Sequence, residues 1–264
     1  MQRFATIAAI VSMMIFTALP AGARNEEEPV YLALGDSVAF GIGVDRPEQH
    51  GYVAVLNRWA RATDCRDGRP AACPRLELEN LAVPGATSST LISGQLPDAI
   101  TLISQRNDDA DPGNDVEFIT VTIGGNDLFQ PVIAACAGGV TQHCVDVITG
   151  GLTTYAANLG VILGTLRTVA GPDTRIVMMT YYNPLEACFL ADLAPLADLV
   201  LEGGGPLPIG LNGIIRATAA ATGVEVADTF GELGNDDFVG GEDCLHPDKS
   251  GHHTIAEIFD QVLG

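Results

Sequence analysis

Residues 30–37 read Val30-Tyr31-Leu32-Ala33-Leu34-Gly35-Asp36-Ser37. Five residues with no charged side chain suit a strand covered on both faces. Gly35 and Asp36 then stop it, and Ser37 sits just past its end. The same pattern recurs downstream. The β-branched run 116–123 leads into Gly124-Gly125-Asn126-Asp127. In an open α/β sheet, ligand sites lie beyond the carboxyl ends of the strands. Ser37 and Asn126 are both placed there.

Working outward, strands are expected at 30–34, 76–82, 116–123, 175–181 and 224–228. Helical patterns are expected at 52–62, 90–104 with an interruption near Pro97, 152–170, 209–222 and 247–263. Strands alternating with helices argue a parallel sheet. Residues 108–115 and 203–208 read as loops, and neither a repeat nor a linker divides the chain. At 264 residues it can bury a sizeable core as one domain, expected to run over 24–264.

Four blocks then carry chemistry. A serine hydroxyl needs an adjacent base to attack a carbonyl at neutral pH. His246, in Asp243-Cys244-Leu245-His246-Pro247, can be that base. Asp243, three positions earlier, can hold the imidazole in the right tautomer. Pro247 suits the first position of a following helix. A tetrahedral intermediate also needs donors for its oxygen. The Ser37 and Gly85 backbone N–H groups and the Asn126 side-chain amide can supply them. Asp36, beside the serine, reads as a turn or capping group.

These blocks, Ser37, Gly85, Asn126 and His246 in that order, resemble the SGNH hydrolase superfamily, also called GDSL-type esterases and lipases. The resemblance spans Gly35 to Pro247. It departs in the first block, where Val38 stands in place of the frequent Leu or Tyr. It implies a three-layer α/β/α sandwich with a central five-stranded parallel sheet, flavodoxin-like. It also implies ester hydrolysis through an acyl-enzyme, without cofactor or metal. The expected substrate is a small-molecule or lipid ester. Some members orient the histidine with a backbone carbonyl, so Asp243 or such a carbonyl could face it here. A carbohydrate or peptidoglycan O-deacetylase shares the machinery and is the alternative; a non-enzymatic secreted binding module would not need the four blocks.

Composition bears on partners and compartment. Net charge is −20, with Lys249 the one lysine, which disfavours nucleic acid and anionic membranes. Arg3, the apolar run 5–19 and Ala21-Gly22-Ala23 read as a cleavable signal peptide over residues 1–23. The expectation is a secreted or periplasmic monomer with no stable membrane insertion after cleavage. Six cysteines in an exported chain read as disulfides and allow more than one pairing. Local closure favours Cys65 with Cys73 and Cys136 with Cys144, which leaves Cys188 with Cys244. Secreted bacterial lipases of the superfamily with three disulfides look similar.

Other readings fit less well. No C-x-x-C spacing supports zinc. A metal held by His246, Asp248, His252 and His253 would need a helix to point them one way. Gly41 and Gly43 lack the third glycine of a dinucleotide loop. The apolar run 189–201 is expected to be core rather than an acyl pocket.

Overall fold

The computed structural model describes residues 28–63, 76–108 and 112–264. The signal-peptide reading and the Cys65–Cys73 pair lie outside them. The elements are β1 (Val30–Gly35), α1 (Ser37–Phe40), α2 (Pro47–His50), α3 (Tyr52–Thr63), β2 (Glu77–Asn80), α4 (Ser88–Ser93), α5 (Gln95–Asn107) and β3 (Val116–Thr122). There follow α6 (Gly125–Cys136), α7 (Gln142–Ala170), β4 (Arg175–Met179), α8 (Ala194–Glu202) and α9 (Leu211–Thr222). The chain closes with β5 (Glu225–Ala227), β6 (Phe238–Gly240), β7 (Asp243–Pro247) and α10 (Lys249–Leu263).

Strands β1–β5 form a parallel sheet in the order β2-β1-β3-β4-β5. Helices α3 and α10 pack on each other on one side, while α5, α7 and α9 cover the other, with α7 touching both neighbours. This is the expected three-layer α/β/α sandwich. Every residue of β1 is buried, as is Ile119–Thr122 in β3, which is why those runs carry almost no charge. The connections leaving β1 and β3 run in opposite directions along the sheet. Their carboxyl ends therefore flank the switch point where such sheets bind ligands.

Several boundaries differ from expectation, each for a local reason. The break in the 90–104 pattern falls at Gly94, not Pro97, which the first turn of α5 accepts without losing a helical bond. Helix α7 starts ten residues early, because the Thr141 hydroxyl accepts from Cys144 N and caps it. By length and composition α7 could cross a membrane, but Ile148, Leu152, Tyr155, Leu159, Ile162 and Leu166 form a buried stripe within the fold. Pro247 does not open the last helix. It ends β7, and Asp248 caps α10 by accepting from Ser250 N at 2.7 Å and Gly251 N at 3.1 Å. The β6–β7 ribbon, α6 and α8 add to the elements expected from the sequence. Two expected disulfides are present, Cys136–Cys144 and Cys188–Cys244, and they pair the cysteines among the described residues.

The end of β1 is tightly specified. Gly35 lies opposite Thr122 of β3 at φ +151°, and a Cβ on it would fall 2.3 Å from the Thr122 carbonyl. Only glycine lets the two strands meet there. The buried Gln95 amide then clamps Gly35 from α5, accepting from its N–H at 2.8 Å and donating to its carbonyl at 2.7 Å. Gln95→Leu keeps the volume but orphans a buried N–H, a loss of about 1–3 kcal/mol. The urea midpoint should fall with an unchanged m-value; an unchanged midpoint would mean the clamp contributes nothing.

Candidate active site

Asp36 caps α1, accepting from Val38 N at 3.0 Å. Ser37 is thereby the first helical residue, and its N–H has no acceptor within the helix. Its Oγ meets His246 Nε2 at 2.9 Å. His246 stands on β7, held by pairing with β6 and by the Tyr182 hydroxyl, which donates to the Leu245 carbonyl at 3.2 Å. The Cys188–Cys244 bridge ties β7 to the segment after β4.

The histidine's other nitrogen faces a carboxylate, not a backbone carbonyl. Nδ1 lies 2.8 Å from Asp243 Oδ2 and 3.1 Å from Oδ1. Asp243 Oδ1 also accepts from Leu245 N at 2.9 Å and His246 N at 3.0 Å, so the carboxylate folds over its own chain. Partial burial pushes the Asp243 carboxyl up, but these donors together hold it below the usual value. A carboxylate kept charged at Nδ1 favours the tautomer with a proton there. That leaves the Nε2 lone pair free to take the serine proton.

Asn126, the side chain expected to bind the oxyanion, lines the same cavity as this pair. Asn126 is in the first turn of α6, and its Nδ2 donates to the Ala86 carbonyl at 2.9 Å. That bond uses one amide hydrogen and fixes the plane of the other. Next to it, Asp127 accepts from Ser88 N at 2.9 Å and from the Ser88 hydroxyl, and its burial raises its carboxyl pKa. These bonds dock the start of α6 on the segment that carries Gly85. Gly85 has φ +79°, and a Cβ there would meet nothing within 4 Å. The glycine answers to the turn, closed by Ala86 N donating to the Val83 carbonyl. Ser37, Asp243 and His246 are thus joined by direct bonds. Asn126 lines the same cavity, and Gly85 is linked to it through Ala86.

His252 is not part of a metal cluster with His246. It is buried, accepts from Tyr52 N at Nδ1 (3.2 Å) and donates to the Ile42 carbonyl from Nε2 (2.9 Å), so both ring nitrogens are used. Burial pushes its pKa down. No group of three His, Cys, Asp or Glu side chains able to hold a metal occurs among the described residues.

A cavity of about 110 Å³ opens from Ser37, Asn126 and His246. Leu128 and Val132 of α6 face Leu196, Ala197 and Val200 of α8 across it, with Tyr181 and Tyr182 also on its wall. The 189–201 run is therefore not simply core. Leu193, Leu196, Ala197, Val200 and Leu201 line this space, and Phe189 stands 72% exposed. Sequence reasoning also missed Tyr181, which donates to Asp36 Oδ2 at 2.5 Å. Nothing in the local sequence marks that contact. Asp36 is 2% exposed, and burial raises its pKa from 3.8 to about 6 despite the bonds from Tyr181 and Val38.

The sequence profile of the GDSL-like lipase/acylhydrolase family matches residues 33–254. The chain belongs to that family and is a carboxylic ester hydrolase. No curated protein matches it. Among solved structures, it is similar to a lipase from a goat rumen metagenome, with 20% identity over 89% of this chain and 97% of that one and a TM-score of 0.62. It is also similar to an extracellular lipase from Streptomyces rimosus, with 17% identity over 89% and 99% and a TM-score of 0.57. An acetylxylan esterase from Geobacillus stearothermophilus shares 18% identity over 90% and 95%, with a TM-score of 0.53. At these identities the likeness is one of fold.

Two outcomes are expected from this geometry. In Asp243→Asn, the Leu245 and His246 N–H groups hold the amide oxygen, which turns the NH2 toward Nδ1. That forces the proton onto Nε2, where it blocks transfer from Ser37. Turnover should fall by about 10³–10⁴, read as kcat in a variant with unchanged circular dichroism; near-normal kcat would refute it. The second concerns Asp36. Its folded pKa is raised, so its contribution to stability is present below 3.8 and lost as pH rises through about 6. Relative to Asp36→Asn, which cannot ionise, the wild-type chain should lose roughly 3 kcal/mol across that window. Urea titrations at pH 3.5, 5 and 7 check it; a stability difference independent of pH would not fit.

Proposed function

We propose that the chain is a secreted serine esterase or lipase that cleaves esters of apolar, medium-length acyl chains. His246 Nε2 takes the Ser37 proton as Oγ attacks the carbonyl carbon. The Ser37 and Gly85 N–H groups and Asn126 Nδ2 receive the developing oxyanion. The carbon–oxygen bond to the alcohol breaks, and His246 returns the proton to the leaving oxygen. Water then repeats the sequence on the acyl-serine. Asp243 holds the imidazole and balances its charge while it carries both protons.

The observation that carries the acyl preference is the apolar cavity between α6 and α8. A single water needs about 10–15 Å³ on this measure, so 110 Å³ has room for a chain of several carbons. An acetyl group, the substrate of the alternative O-deacetylase reading, would leave most of it unfilled. The two disulfides support an oxidising compartment. They fit a leader removed after Ala23, a single domain from residue 24 and a third bridge between Cys65 and Cys73.

A series of ethyl esters from acetate to decanoate tests this reading. Each buried methylene is worth about 0.8 kcal/mol, so kcat/KM should rise about fourfold per carbon until the cavity is full. Ala197→Phe, which narrows the cavity, should move the optimum to shorter chains. An optimum at acetate in the wild-type enzyme would favour the deacetylase instead.

A further inference from the structure

A second space adjoins the first. It is a groove of about 740 Å³ lined by α6, by the segment after the Cys188 bridge, and by β7. Phe129 and Ile133, four apart on α6, wall both spaces, as do Leu245 and His246. Ser37 and Asn126 line only the deep cavity, whereas Phe189, Leu190, Ala134 and Cys244 line only the groove. The two spaces therefore meet at the imidazole.

We infer that the groove binds the alcohol half of the ester and selects bulky, apolar alcohols that carry no negative charge. The inference rests on the catalytic roles proposed above for Ser37 and His246. The acyl carbon bonds to Ser37 Oγ and its oxygen turns to the Ser37 and Asn126 donors, so the acyl chain extends into the space those residues line. The alcohol oxygen departs with the bonding electron pair and must take its proton from His246 Nε2. The alcohol therefore leaves on the side that His246 lines without Ser37.

The groove is built rather than incidental. Phe189 is a large apolar side chain standing 72% exposed. It is fixed by the Cys188–Cys244 bridge beside it and by its own N–H donating to the Gly241 carbonyl at 3.3 Å. Leu190 N donates to Cys188 Sγ at 3.4 Å. An alkyl or aryl alcohol laid against Phe189 and Ile133 removes that apolar surface from water. Glu242 and Asp243 at the wall repel an anionic alcohol such as a phosphate-bearing head group.

The test compares two ratios of kcat/KM below the solubility limit: octyl over ethyl butyrate for the alcohol side, and ethyl octanoate over ethyl butyrate for the acyl side. Phe189→Ala should lower the alcohol ratio about tenfold, near the lower end for a lost apolar contact, and leave the acyl ratio in place. Ala134→Trp, which fills the groove from α6, should lower the same ratio. Ala197→Phe should do the converse. Circular dichroism confirms folding of each variant. If both groove variants leave the alcohol ratio unmoved, or move the acyl ratio instead, the assignment is wrong. Ser37→Ala on ethyl butyrate separates the two levels. An active Ser37→Ala enzyme overturns the catalytic reading itself, whereas an inactive one with an unmoved alcohol ratio overturns the groove alone.

Discussion

The 2.9 Å contact between Ser37 Oγ and His246 Nε2 spans 209 residues of chain. Neither side chain can hold the other there unaided, because closing so long a loop costs entropy that one hydrogen bond does not offset. The fold supplies the difference from both ends. On the serine side, β1 is locked between its neighbours, Gly35 lies flat against Thr122, and Gln95 clamps it. On the histidine side, the β6–β7 ribbon would be marginal alone. It is held by the Tyr182–Leu245 bond and by a disulfide that joins residues 56 apart. Loss of either anchor would move the imidazole first, since β7 has no other sheet to rest on.

Two carboxylates flank this pair, and burial decides which way each is pushed. Asp243 is partly exposed and receives two backbone N–H donors besides the imidazole, so it stays charged. Asp36 receives Val38 N and the Tyr181 hydroxyl but has almost no contact with water, so desolvation wins. The charged group therefore orients the base, while the group that titrates near pH 6 shapes the turn under the nucleophile. Exchanging their environments would leave the imidazole without a dependable counter-charge below about pH 6.

The parts of the molecule legible from sequence are those where one physical demand acts alone. β1 and β3 are covered on both faces, so an apolar run suffices to mark them, and the residues after them fell where the sheet rule places ligand sites. β2 is an edge strand, and its Glu77, Glu79 and Asn80 stay partly exposed, which blurred its ends. α6 and α8 carry Pro131 and Pro195, one within the helix and the other in its first turn, and proline weakens a helical pattern read from sequence. β6 is short and ends in Gly240, and Asp243, His246 and Pro247 leave β7 without an apolar run to mark it. Pro247 pointed to a helix start, but Asp248 competes for that place with a side chain that can cap, which proline lacks.

The cavity between α6 and α8 illustrates a different limit. Core and cavity both demand apolar side chains, so composition cannot separate them, and the run 189–201 satisfies both at once. Leu196, Val200 and Leu201 are buried and also face the open space. What distinguishes a cavity is missing partner atoms, which only geometry reveals. A chain whose helices could close that gap without penalty would gain by doing so. Here α6 is pinned at its start by Asn126 and Asp127, and at its end by the Cys136–Cys144 bridge, so it cannot settle onto α8. The same bonds that fix the Asn126 amide thus hold α6 away from α8 and keep the space between them open.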